Sequence, residues 1–98
     1  MLAASAQGNA VAHTVTLNPV AGGISGVTAT VDKTSAVAGE TVTVTVNIAA
    51  GSPAANVAVA GSNSETVAPA TKTVTAGNTY TFALTMGSAN TAITVTAS

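Results

Sequence analysis

Valine and threonine alternate from Thr41 to Val46, immediately after the turn-forming run Ala38-Gly39-Glu40. A period of two places Val42, Val44, Val46 and Ile48 on one face of an extended segment and the threonines on the other, as in a half-buried β-strand. The same alternation returns in Thr79–Met86 and in Thr91–Ala97. Earlier it marks Ala10–Leu17, with Val11, His13, Val15 and Leu17 on one face, and Val27–Val31. Shorter extended runs are predicted at Asn56–Ala60, Glu65–Ala68 and Thr71–Thr75. Gly, Pro, Asn and Ser clusters separate them, notably Gly51-Ser52-Pro53, Gly61-Ser62-Asn63-Ser64 and Ala76-Gly77-Asn78. No stretch carries a capped 3.6-residue period. The pattern predicts an all-β, antiparallel sandwich of about seven strands and no helix.

The largest apolar side chains fall on the last two strands. Tyr80, Phe82, Leu84, Ile93 and Val95 are expected to form the core against Val42, Val44 and Val46, with Met86 and Ile48 alongside. Tyr80 stands near the start of its strand, where its phenol is expected to bond back to a backbone carbonyl.

The chain divides at Asn18-Pro19 and the glycine-rich Val20–Gly26. Residues 1–26 read as an extended N-terminal arm holding one strand, 10–17, and a hinge; 27–98 read as the sandwich body. That strand either folds back as an edge or reaches a neighbouring subunit. In the second case Val11, His13, Val15 and Leu17 are the interface anchors, and a chain beginning at Val27 would fold but not assemble.

Composition narrows the function. At 98 residues there is room for one domain, and only Tyr80 and Phe82 are aromatic. A core of Ala and Val buries little area per residue, so stability is expected to be modest and helped by neighbours. Only Asp32, Lys33, Glu40, Glu65 and Lys72 are charged, where a soluble domain is about one quarter charged. A net charge of −1 offers no basic patch for nucleic acid and no basic amphipathic segment for a membrane surface. An uncharged Thr, Ser and Asn exterior suits contact with protein, either copies of itself or another chain, in a homo-oligomeric or larger assembly.

Candidate chemistry is sparse. His13 is the single histidine and reads as a packing or interface residue, because metal sites need several donors at workable spacing. Asp32 and Glu40 could meet across a turn, but hard cations want six or more oxygens, so no metal or other cofactor is expected. Nothing pairs a nucleophile with a base and an orienting group, and Gly22-Gly23 lacks phosphate-loop spacing; no catalytic residue is assigned. The threonine ladders lack the short fixed repeat of an ice-binding solenoid. The sequence has no cysteine, no run of 18 apolar residues, and no basic-then-apolar leader at Met1.

The run Asp32-Lys33-Thr34-Ser35-Ala36-Val37-Ala38-Gly39-Glu40-Thr41-Val42-Thr43-Val44 resembles the early strands of bacterial and phage immunoglobulin-like (Ig-like) domains. Ala76–Phe82 and Ile93–Ala97 resemble their closing strands, so the likeness spans about 27–98. It implies an Ig-like sandwich and carries over no catalytic residue. Such modules occur in tailed-phage virions and as repeats in bacterial surface proteins. The leading expectation is therefore a non-enzymatic virion structural protein that decorates a capsid or tail, made in the host cytoplasm. The alternative is an extracellular binding or spacer module from a bacterial cell-surface protein.

Overall fold

The computed structural model describes residues 11–98. The expected extended tip at 1–9 and the predicted start of the first strand at Ala10 lie outside the described residues. Nine strands follow one another: β1 (His13–Leu17), β2 (Val27–Val31), β3 (Ser35–Ala36), β4 (Thr41–Ile48), β5 (Asn56–Gly61), β6 (Val67–Ala68), β7 (Thr71–Thr73), β8 (Asn78–Thr85) and β9 (Thr91–Ala97). They form two sheets, β3-β1-β9-β5-β7 and β2-β4-β8-β6. The described chain is an all-β sandwich without helix, as the alternation predicts.

Period-two burial runs through each long strand. In β4, Val42, Val44, Val46 and Ile48 are buried while Thr41 and Asn47 are exposed. In β8, Phe82 and Leu84 are buried and Thr81 and Thr85 exposed. Ile93, Val95 and Ala97 do the same from β9. These side chains, with Val57, Val59, Val74 and Met86, fill the space between the sheets. Of the eight expected core residues, seven are buried. Tyr80 is half-buried and packs on the margin of the core.

The pairing of β4 with β8 runs the full length of both strands, from Thr41 opposite Thr85 to Ile48 opposite Asn78. This ladder is the backbone of one sheet. β5 opposite β9, with Val59 facing Val95, is its counterpart in the other.

The first strand corrects two expectations. β1 is neither a separate arm nor an edge: it lies between β3 and β9 inside the five-stranded sheet. It also runs parallel to β9, with Val15 opposite Thr91 and Leu17 opposite Ile93, so the sandwich is not wholly antiparallel. The segment read as a hinge continues this attachment. Asn18 N donates to Ile93 O (2.9 Å), Ala21 N to Val95 O (2.8 Å), and Ala97 N returns a bond to Ala21 O (3.0 Å). Gly22 is required there. Its φ is 109°, and a Cβ would collide with the Ala97 carbonyl. Ser35–Ala36, where no strand is predicted, forms the short strand that pairs with His13 and Thr14.

Candidate functional site

With β1 parallel to β9, the chain enters the sandwich beside Thr91 and leaves it at Ala97, the opposite end. Three connections crowd the entry end: 32–40, 62–66 and 86–90. This follows from the register, which sets Val31 beside Val44, Thr41 beside Thr85, and Gly61 beside Ile93. Asp32, Lys33, Glu40 and Glu65 all belong to this end. Lys72, on β7, faces Val57 toward the exit end.

Each of the acids finds a local partner. Asp32 Oδ1 accepts from the Thr43 backbone N–H (2.8 Å), and Lys33 Nζ lies 3.4 Å from Asp32 Oδ2 while donating to Thr41 O (2.6 Å). The Thr43 N–H, with help from Lys33, holds the Asp32 carboxyl below its usual range against a smaller opposing effect of burial. Glu40 Oε1 accepts from Val37 N (2.8 Å), closing its own turn. Asp32 and Glu40 therefore serve separate backbone bonds. Among the described residues no three His, Asp or Glu side chains converge.

Glu65 belongs to a larger polar network. Its two oxygens accept from Asn63 N (3.0 Å) and Asn63 Nδ2 (3.1 Å), and Asn63 Nδ2 also donates to Asn90 O (2.7 Å). Asn90 Oδ1 in turn accepts from Thr14 N of β1 (2.8 Å). Buried Thr91 shares its hydroxyl with Ser62 Oγ (3.4 Å), which accepts from Ala92 N (2.9 Å). Partial burial pushes the Glu65 carboxyl up. Hydrogen bonds from Thr91, the Glu65 backbone and Asn63 outweigh it and leave the group below its usual range. The network ties β1 to two loops and leaves its polar groups occupied with one another; its geometry is that of a brace.

Tyr80 is a second local brace. Its phenol oxygen accepts from the Thr75 N–H (2.9 Å) and lies 3.2 Å from the Thr75 hydroxyl. The bond goes back along the chain as expected, but to a backbone donor where a carbonyl was expected. The Thr75 hydroxyl and N–H hold the phenol below its ordinary range.

The expected interface residues separate. Val15 is buried at 3% exposure, and Leu17 packs half-buried against the core. His13 is half-buried on β1 opposite Ala36, inside the sandwich rather than outside the domain body. Val11 alone remains an exposed large apolar side chain among the described residues. Anchoring a neighbour through all four is incompatible with this packing, because the face that reads as sticky is the face that fills the chain's own core.

The open sheet edges are what the sequence reading left out. β3 and β6 end their sheets with two residues each, and β7 ends its sheet with three, centred on Lys72. Short strands and a central lysine are ordinary protections against edge pairing. β2 has five residues, Val27-Thr28-Ala29-Thr30-Val31, and no charge within it. The signal was present in the sequence as an uncharged alternating run. Its significance depends on lying at an edge.

Comparison with family models, with curated proteins and with solved structures gives no match.

Proposed function

We propose that this chain is a non-enzymatic structural module, an Ig-like sandwich that acts through contact with other protein. The reading that geometry supports best is a spacer or binding module of a bacterial surface protein. The supporting observation is the parallel β1–β9 pair, which puts entry and exit at opposite ends of the sandwich. Modules connected in that way follow one another in line, with each sandwich adding its length to a stalk. The Thr-rich exterior carries few charges, and the four at the entry end are held in local hydrogen bonds, which suits a module that meets its neighbours end to end.

The second reading is an accessory protein decorating a tailed-phage capsid or tail. It is favoured by the five-residue open edge of β2, which offers an assembly contact. Contact through the first strand gives this reading little support, because β1 lies inside its own sheet and Val15 is part of the core.

Antibodies raised against the folded chain separate the readings. Applied to intact cells of the source organism, they should label the surface if the chain is a module of a surface protein. Labelling confined to particles of virion density supports the accessory role. Signal restricted to the cell interior, with neither pattern, overturns both.

A further inference from the structure

β2 ends its sheet and leaves one side of its five residues open. Two bonds fix its polarity: Ala49 N donates to Gly26 O (2.8 Å) and Asp32 N donates to Thr43 O (3.1 Å). With Val27 opposite Ile48 and Val31 opposite Val44, these bonds mark the even-numbered positions as the ones bonded to β4. The N–H and C=O groups of Val27, Ala29 and Val31 therefore point away from β4, and none has a hydrogen-bond partner among the described residues. Their side chains are half-buried on the core face, so the apolar layer stops at this edge incompletely covered.

The sequence of the edge is a palindrome, Val-Thr-Ala-Thr-Val, centred on Ala29. An antiparallel copy related by a two-fold axis at Ala29 sets Ala29 opposite Ala29, and Val27 opposite Val31. Every residue with outward backbone groups then meets another of the same kind. Three opposed pairs exchange two bonds each, six in all. Thr28 meets Thr30 on the outer face, a favourable cross-strand pair, while Val27 and Val31 extend the apolar layer across the junction.

The nearest charges do not oppose this. Asp32 is turned toward Thr43 and Lys33 toward Thr41, both on β4 and away from the open edge. In the two-fold register Asp32 lies opposite Gly26 and Lys33 opposite Ser25, so no like charges face each other. We propose that the chain forms a symmetric dimer through β2, joining two four-stranded sheets into one continuous eight-stranded sheet. The interface is isologous and closed, and it does not depend on which biological setting is correct. A five-residue pairing buries less than a standard permanent interface, so the dimer is reversible and concentration-dependent.

The test is sedimentation equilibrium of the full chain across a wide concentration range, paired with amide hydrogen exchange. The mass should rise from 9.2 kDa toward twice that value. The amides of Val27, Ala29 and Val31 should gain protection with concentration, whereas those of Thr28 and Thr30, already bonded to β4, should not change. Ala29→Pro removes two of the six donors and should weaken the dimer about thirtyfold. Thr28→Lys with Thr30→Lys changes only exposed side chains and should weaken it about tenfold by setting like charges opposite one another. Mixing that variant with Thr28→Glu/Thr30→Glu should restore pairing as a heterodimer, because the register sets position 28 against position 30. A wild-type chain that stays monomeric overturns the proposal. So does an oligomer indifferent to the lysine pair, or one whose protection appears on amides other than 27, 29 and 31.

Discussion

Phe82→Ala is the sharpest probe of the sandwich core. Phe82 is 1% exposed, sits in the middle of β8, and is paired with Val44 at the centre of the longest ladder. Removing the ring forfeits about 2–3 kcal/mol of transfer free energy. The site is walled by paired strands on both sheets, so collapse around the gap is incomplete. A residual cavity of about 50–100 Å³, at about 24 cal/mol per Å³, adds about 1–2 kcal/mol. The expected loss is therefore about 3–5 kcal/mol. A domain of this size has about 5–15 kcal/mol of stability, so the loss takes away a large share of it and, at the low end of that range, leaves the variant barely folded. Urea titration followed by far-ultraviolet circular dichroism measures the loss, and thermal melting should show a drop of at least about 12 °C. Thr81→Ala, one residue away on the exposed face, should stay within about 0.5 kcal/mol of the parent. A loss below about 1 kcal/mol for Phe82→Ala, or equal losses for the two, would refute the facing of β8 and with it the core.

A chain beginning at Val27 should fail to fold, because it takes away Val15 and leaves β9 without its parallel partner; loss of the β-sheet spectrum checks this. Gly22→Ala should cost about 1–3 kcal/mol by chemical denaturation, since the new Cβ meets the Ala97 carbonyl at a φ of 109°. Asp32 and Glu65 are both held below their ordinary range, so the stability they contribute is present above the unfolded-state values and is lost on acidification below about pH 4. The Asp32→Asn/Glu65→Gln variant should flatten that acid limb in urea titrations at successive pH values, leaving the slope near neutrality unchanged.

The long strands were legible because their alternation is local and their threonines and valines leave no competing period. Val27–Val31, Thr41–Ile48 and Thr91–Ala97 have the bounds that the pattern assigns them. The position of β1 was not legible. Val15 and Leu17 announce a buried face without saying which sheet will cover it, and the partner strand lies more than seventy residues away, as in the Thr14-to-Asn90 bond. Gly22 and Gly23 read as a flexible connector, and only the approach of Ala97 shows that Gly22 is a packing position. Ser35–Ala36 is too short to register a period at all. The open edge at β2 was hidden for a related reason, since a strand's neighbours are a property of topology and the palindrome matters only where no neighbour exists.

The β1–β9 pair also sets how the domain answers a pull on its two ends. Tension enters at His13 and leaves at Ala97, drawing the two parallel strands past each other along their own axes. Their hydrogen bonds, with the added clasp of Asn18 and Ala21 on β9, then lie across the line of force and must give way together. A hairpin pulled from its open end would unzip one bond at a time. This arrangement resists as a lap joint does, so the sandwich yields abruptly at a threshold load and keeps its length below it.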